Sequence, residues 1–517
     1  MTRLLVPGLT CATLHEAPRS GVLVDARDFY RAVHDAACRA ERSILMAGWQ
    51  FTAGIELLRG DDAKGCQLPT KLIDLLRALC EQTPALEVHI LAWDASAIFT
   101  FEREPLQRLR FEICGHERIH YKTDTAHPFG ASHHQKLVVI DRSIAFLGGM
   151  DLTSSRWDDR AHEAANPLRD EGLRSHGPYH DVQAYVTGDA VDVLRDLFAE
   201  RWQRATGADL PAIEPPRHEI EIRSSFDVTA PWIGLARTVP RMEDPPVEPV
   251  HELYKLHLRA IHAAERLIYL ETQYFSSDEL GDAFERRMTA GRPPLEIVLV
   301  LPAKSAGWKE RISIGVYQQR ILERLGRTAE RTGNRLGVYH SAAPGEGGDV
   351  PVFVHSKVLA VDDRFLLVSS ANAANRSMGF DTELGLAWEA RRATASLRDA
   401  RIDLLAEQCG VPRAQARELL APIPGLVARL DELAREQRHR LRIHRRNVDE
   451  KPGWLLSKLL PDETPFDPDD PEAMESILPE PDAWLDRLFR DPLVFASHPV
   501  RRLRNRLRDR LRRHKAA

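Results

Sequence analysis

Two short stretches of the chain share residues suited to phosphate chemistry. HHQKLVVID (His133–Asp141) and VHSKVLAVD (Val354–Asp362) each place a lysine two residues after a histidine and an aspartate five further on, with His134 and His355 221 positions apart. One such pair alone is ordinarily a half-buried strand whose lysine reaches out to solvent. Two copies that meet in one cleft can do more. One imidazole can attack while the other gives a proton to the leaving group and later takes one from the acceptor. Lys136 and Lys357 then supply fixed cations, and Ser370 and Asn372 supply hydroxyl and amide donors, for a phosphoryl group whose oxygens gather charge in the transition state. If residues 134–141 form a strand, alternation puts His134 and Lys136 on one face and Asp141 on the other. His355, Lys357 and Asp362 repeat that parity, so the two aspartates are assigned to the fold.

A catalytic imidazole also needs a carboxylate or carbonyl on its second nitrogen to set tautomer and orientation. Each half offers one acid where its last strand opens, Asp181 in YHDVQAYVTG and Glu383 in DTELGLAWEA. Residue type alone fits a surface acid at a strand end equally well; recurrence in both halves favours orientation. Metal ligation is the competing use of histidines near acids. The H-x-K spacing sets a cation beside each would-be ligand, and no H-E-x-x-H or cysteine cluster occurs, so neither metal nor cofactor is expected.

The elements that must position these groups are themselves repeated. AERSILMAGWQF (Ala40–Phe51) matches AERLIYLETQYF (Ala264–Phe275), and LEVHILAWD matches LEIVLVLPA, continuous apolar runs that suit central strands. At the shift of 221, Gly148 and Gly149 fall on Ser369 and Ser370, and Asp151 falls on Asn372. Helical patterns such as LPTKLIDLLRALCEQ and GVYQQRILERLGRTAER lie between strands, which predicts an α/β chain of two similar halves. The expected boundaries are 1–207 for the first half, 208–250 for a proline-rich linker and entry to the second, 251–400 for the second half, and 401–517 for a helical and irregular extension.

These residues resemble the phospholipase D superfamily, whose H-x-K-x4-D motif is present twice and complete. GGMDLTSSRWDD, PYHDVQAYVTG, LARTVP and ETQYF lean toward the branch seen in plants and animals. The resemblance implies two pseudo-symmetric α/β/α halves around one interfacial active site, and a ping-pong reaction through a phosphohistidine without a catalytic metal. It implies His134 as nucleophile, His355 as general acid and base, and Lys136, Lys357 and Asn372 on the phosphate with help from Ser370. The expected activity is hydrolysis of phospholipid head groups to phosphatidic acid, with transfer to alcohols. A cardiolipin synthase-type phosphatidyltransferase is the alternative; a nuclease and a non-catalytic lipid-binding scaffold rank lower.

Composition is compatible with this. The 517 residues are 43% hydrophobic and 28% charged with net charge -5, which excludes fibrous and wholly disordered classes. No apolar run approaches a membrane span. The six cysteines lack paired spacing and read as reduced thiols. The segment from Arg501 to Lys515 carries eight arginines and one lysine against Asp509, or +8, leaving -13 for the rest. Val500, Leu503, Leu507 and Leu511 recur there at helical spacing, which fits a helix lying on an anionic membrane or docked on the acidic remainder. Nucleic acid is not expected, since the tail lacks aromatic residues. The expectation is a cytoplasmic, peripherally membrane-associated monomer; export without a cleavable signal stays open.

Overall fold

The computed structural model describes residues 3–16, 19–93, 107–170, 175–211, 215–243, 246–304, 308–437, 439–444 and 467. Two mixed sheets dominate it, with matching strand orders. In the first, Ser20–Val24, Val182–Thr187, Ile144–Gly148, Leu137–Ile140, Ser43–Gly48, Glu87–Trp93 and Ile119–Asp124 lie side by side. In the second, the same places are taken by Trp232–Val239, Glu383–Glu389, Phe365–Ser369, Val358–Val361, Leu267–Glu271, Glu296–Val300 and Arg335–Ala343. The last three strands of each series are parallel and the others antiparallel. The duplication in sequence is thus a duplication of topology.

Each motif strand is apolar on both faces because both faces are covered. Leu137 and Val139 pack into a central core with Val358 and Ala360 of the other sheet, together with Leu194 and Phe198 of the helix Asp189–Thr206 and Leu404 and Leu405 of the helix Ala395–Cys409. The alternate residues Val138 and Ile140 face an outer core with the helices Asp25–Ala37 and Leu72–Gln82. Leu359 and Val361 do the same against Glu252–Ala263 and Asp278–Thr289. The period of two therefore separates an inner core shared by the halves from one outer core for each.

The strands begin later than the parity reading assumes. They run Leu137–Ile140 and Val358–Val361, so His134, Lys136, His355 and Lys357 lie ahead of them, and strand alternation does not set their directions. The aspartates behave as expected. Asp141, at φ 51, accepts from the backbone N–H groups of Glu41, Arg42 and Ser43 at 2.8–2.9 Å. Asp362, at φ 54, does the same for Glu265, Arg266 and Leu267 at 2.7–2.8 Å. Each buried carboxylate thereby ties the turn after its own strand to the entry of the neighbouring one. Removing it leaves three N–H donors unsatisfied at about 1 kcal/mol or more each. Asp141→Ala is expected to cost about 3 kcal/mol of stability, seen as a lowered melting temperature, while turnover per folded molecule stays near normal.

The halves interleave more than the expected boundaries allow. Thr13–His15 pairs with Trp232–Val239 in the second sheet before the chain enters the first, and Leu4 and Leu5 donate their N–H groups to Glu389. Phe226–Asp227, within the expected linker, pairs with Ser20–Val24 of the first sheet. Trp232–Val239 is itself a strand of the second half. The helix Ala395–Cys409 crosses the expected boundary at 400, and Leu441–Ile443 joins the second sheet beside Arg335–Ala343. The basic tail and most of the acidic proline-rich segment lie outside the described residues. From that segment, Asp467 accepts from the N–H groups of Asn375 and Arg376 at 3.2 and 2.9 Å.

Candidate active site

The two motif histidines are brought into place by backbone pairing between the halves. His133 bridges Thr382, and His134 donates its N–H to the Thr382 carbonyl at 3.0 Å. Reciprocally, Phe353–Val354 pairs with Tyr179–His180, and His355 donates its N–H to the His180 carbonyl at 2.8 Å. The segment before each motif thus adds itself to the segment before the other half's acid.

That exchange crosses the carboxylates. His134 Nδ1 lies 2.9 and 3.1 Å from the two oxygens of Glu383, in the second half. His355 Nδ1 lies 2.6 Å from Asp181 Oδ2, in the first. Both acids are fully buried, whereas the histidine side chains keep 19% and 11% of their surface exposed, so the rings are held from behind and reachable in front. With Nδ1 donating to its acid, each ring presents Nε2 as the free nitrogen. Sequence pointed to Asp181 and Glu383 but not to which histidine each would serve.

The lysines repeat one another. Lys136 Nζ donates to the carbonyl of His134 at 2.8 Å, and Lys357 Nζ donates to that of His355. Lys136 also stands 3.6 Å from Asp151. Burial lowers the Lys357 ammonium to about 7, with Lys136 adding to the fall and Asp181 opposing it. His355 is pushed well below its ordinary value by burial and by the positive charges of Lys357, Arg156 and Lys136. Burial also raises Asp181, against the pull of Lys357. For Glu383 the balance reverses: burial would raise it, but His134 and the hydroxyls of Ser370 and Ser377 hold it low. Lys136, Lys357 and Arg156 thus stand around the two rings, with the carboxylates of Asp151, Asp181 and Glu383 as their counter-charges.

The difference between Gly149 and Ser370 has a spatial account. Ser370 donates its hydroxyl to Glu383 and accepts from the Leu384 N–H, so it braces the acid. At the equivalent Gly149 a Cβ would sit 2.3 Å from Asp181 Oδ1; glycine leaves room for the first-half acid. Asn372 receives no side-chain partner for its buried Oδ1 among the described residues, while its N–H donates to Ser377 Oγ at 3.1 Å. Two participants went unread in the sequence. Arg156 lies over the Tyr179 ring at 5.0 Å, within electrostatic reach of His355. Ser377 links Asn372 to Glu383. Arg156 lies within GGMDLTSSRWDD but outside the repeated motif, in a loop, and Ser377 sits in a short π-helical turn.

Comparisons with known proteins agree with this architecture. Residues 36–231 match the family described as Phospholipase D, and residues 257–401 match the one described as Cardiolipin synthase, PLD-like domain. The chain is 25% identical to phospholipase D alpha 4 of Arabidopsis thaliana, over 70% of this chain and 60% of that protein. It is 24% identical to phospholipase D A of Dictyostelium discoideum, over 69% of this chain and 31% of that one. Cardiolipin synthase A of Pseudomonas putida is 27% identical over 49% of this chain and 43% of its own. The chain therefore spans between about a third and three fifths of the curated relatives it matches. Among solved structures, phosphatidylserine synthase of Haemophilus influenzae shares the fold at TM-score 0.50 and 12% identity, covering 82% of this chain and 94% of that one.

Proposed function

Since this chain belongs to the phospholipase D superfamily, we propose that it is a phosphodiesterase that releases phospholipid head groups by double displacement. The observation that carries this reading is the pair of crossed His–carboxylate contacts, His134 with Glu383 and His355 with Asp181, beside two buried lysines. In the first step His355 takes up a proton as the anionic diester binds, His134 Nε2 attacks phosphorus, the bond from phosphorus to the head-group oxygen breaks, and the His355 imidazolium gives that oxygen its Nε2 proton. In the second, water gives a proton to His355 and its oxygen displaces His134, leaving phosphatidic acid. Lys136, Lys357 and Asn372 hold the phosphoryl oxygens throughout.

A second reading concerns the acceptor only. The match of residues 257–401 to a cardiolipin synthase domain favours a lipid alcohol in place of water. Purified protein with mixed phospholipid vesicles, with and without a primary alcohol, separates the two by product analysis. Phosphatidic acid supports the hydrolase and phosphatidyl-alcohol the transferase. Absence of both from all common phospholipids would sink the proposal.

Lys357 gives the site a testable pH dependence. Its ammonium binds the diester only while protonated, and it loses its proton near 7 in the empty site. The expected result is a kcat/KM that falls as pH rises through about 7, with the matching limb of kcat at higher pH because a bound anion favours the charged form. A kcat/KM flat between about pH 6 and 9 would remove Lys357 from phosphate binding.

We also assign peripheral membrane attachment to the segment Arg501–Lys515, on its sequence alone. Each basic residue near an anionic surface contributes about 1 kcal/mol. Truncation after Pro499 is expected to abolish salt-sensitive sedimentation with anionic vesicles while turnover of a soluble short-chain diester persists. Unchanged vesicle binding would exclude the tail as anchor.

A further inference from the structure

One residue before Asp181, a second constellation gathers that the proposed reaction does not use. Asp25, His162, His180 and Glu407 are all buried, and one ligating atom from each lies within 4.8 Å of the others. His180 Nδ1 stands 3.0 Å from Asp25 Oδ1 and 3.0 Å from Glu407 Oε1. His162 Nε2 stands 3.2 Å from the same Glu407 oxygen and 3.4 Å from Asp25 Oδ2. Four ligands at about 2.0–2.2 Å around a tetrahedral ion are separated by about 3.3–3.6 Å. The four contacts quoted, at 3.0–3.4 Å, need little expansion to reach that, the two toward Asp25 being made by different oxygens of its carboxylate.

The surroundings are also those of a metal site. Each histidine aims one nitrogen into the tetrad and the other at a separate buried carboxylate: His162 Nδ1 is 2.8 Å from Asp158, and His180 Nε2 is 3.0 Å from Glu271. Outer carboxylates of this kind fix the tautomer and orientation of metal-bound imidazoles. They are themselves braced, Asp158 by Arg169 at 3.2 Å and by the Tyr179 N–H at 2.9 Å, and Glu271 by Gln408 at 3.2 Å. A further observation points inward. Asp25 Oδ2, wholly buried, accepts no hydrogen bond among the described residues.

We propose that Asp25, His162, His180 and Glu407 form a structural site for one divalent transition-metal ion of the zinc class. Two carboxylates and two neutral imidazoles would leave the bound ion formally neutral, which suits a site without solvent. The ligands come from the first helix, a loop of the first half, the strand paired to the segment before His355, and the helix Ala395–Cys409. The ion would therefore pin the helix Ala395–Cys409 to the strand Tyr179–His180, whose next residue is Asp181, and it takes no part in the double displacement.

Without an ion the cluster needs protons in its place. Burial would depress the His162 imidazole, but Asp25, Asp158 and Glu407 outweigh it and push it up to about 9. Burial and the charge of Glu407 raise Asp25 in turn. A proton-held ion network is thus the rival, and the two states differ in what they bind.

The test uses the full chain, stripped by prolonged dialysis against chelator and then titrated with zinc and with cobalt. The expected result is one equivalent bound, a raised melting temperature, and the intense visible absorption of four-coordinate cobalt. His134→Ala/His355→Ala must retain that equivalent, which excludes binding at the catalytic rings. Asp158→Asn, which removes no ligand, is expected to weaken affinity about 10–100-fold. His162→Ala is expected to lose the absorption band. A folded stripped protein that takes up no ion, shows no thermal shift and gives only six-coordinate cobalt absorption overturns the proposal in favour of the proton-held network.

Discussion

His134→Ala is expected to abolish turnover by more than the roughly 10²–10⁴-fold typical of a lone acid–base residue, because a covalent step fails with it. His355→Ala is expected to be as inactive on a phospholipid, yet for a different reason, and an aryl phosphodiester separates the two. Its leaving group needs no proton, so the first displacement can proceed without His355. The His355→Ala enzyme should release one equivalent of phenol in a burst and stall as a phosphoenzyme that survives acid quench poorly and alkaline quench well, as phosphohistidine does. The His134→Ala enzyme should give no burst. Bursts of equal size from both variants, or near-normal turnover by either, would exclude a shared site with divided roles.

The second large effect concerns the carboxylates. Asp181→Asn and Glu383→Gln are each expected to lower kcat about 10²–10⁴-fold, since an amide no longer selects the working tautomer or stabilises the imidazolium. The crossing makes the prediction directional. Glu383 holds His134, so Glu383→Gln should slow the burst itself; Asp181 holds His355, so Asp181→Asn should leave the aryl burst fast and slow the breakdown that follows. Because both acids are buried, melting temperatures must be measured alongside. The reverse assignment of phases would mean that each acid serves the histidine of its own half.

Much of this was legible in the chain because duplication doubles every signal. The two motifs, the matching apolar runs and the acids at equivalent strand openings each appear twice, and the sheets repeat the order in which they occur. Asp141 and Asp362 were placed in the fold for an incomplete reason. Strand parity does not reach back to His134 or His355, yet the aspartates do serve the turns beside them. What could not be read depends on contacts between segments distant in sequence. The crossing of Asp181 and Glu383 follows from backbone pairing at Thr382 and His180. The exchange of Thr13–His15 into the second sheet follows from edge pairing. Asp25, His162, His180 and Glu407 meet from four segments, so no ligand spacing announces them.

The crossed carboxylates also say what kind of object this chain was assembled from. A contact in which one unit lends its acid to the other and receives the other's acid in return is isologous, the contact of a two-fold symmetric dimer. In such a dimer every substitution is made twice, and a change that harms one copy harms both. Joined in a single chain, the two copies are written separately and can drift apart while the exchange is kept. Gly149 beside Asp181 and Ser370 beside Glu383 are two such differences: one half makes room for its acid and the other braces its acid with a hydroxyl, a divergence that two identical subunits could not show.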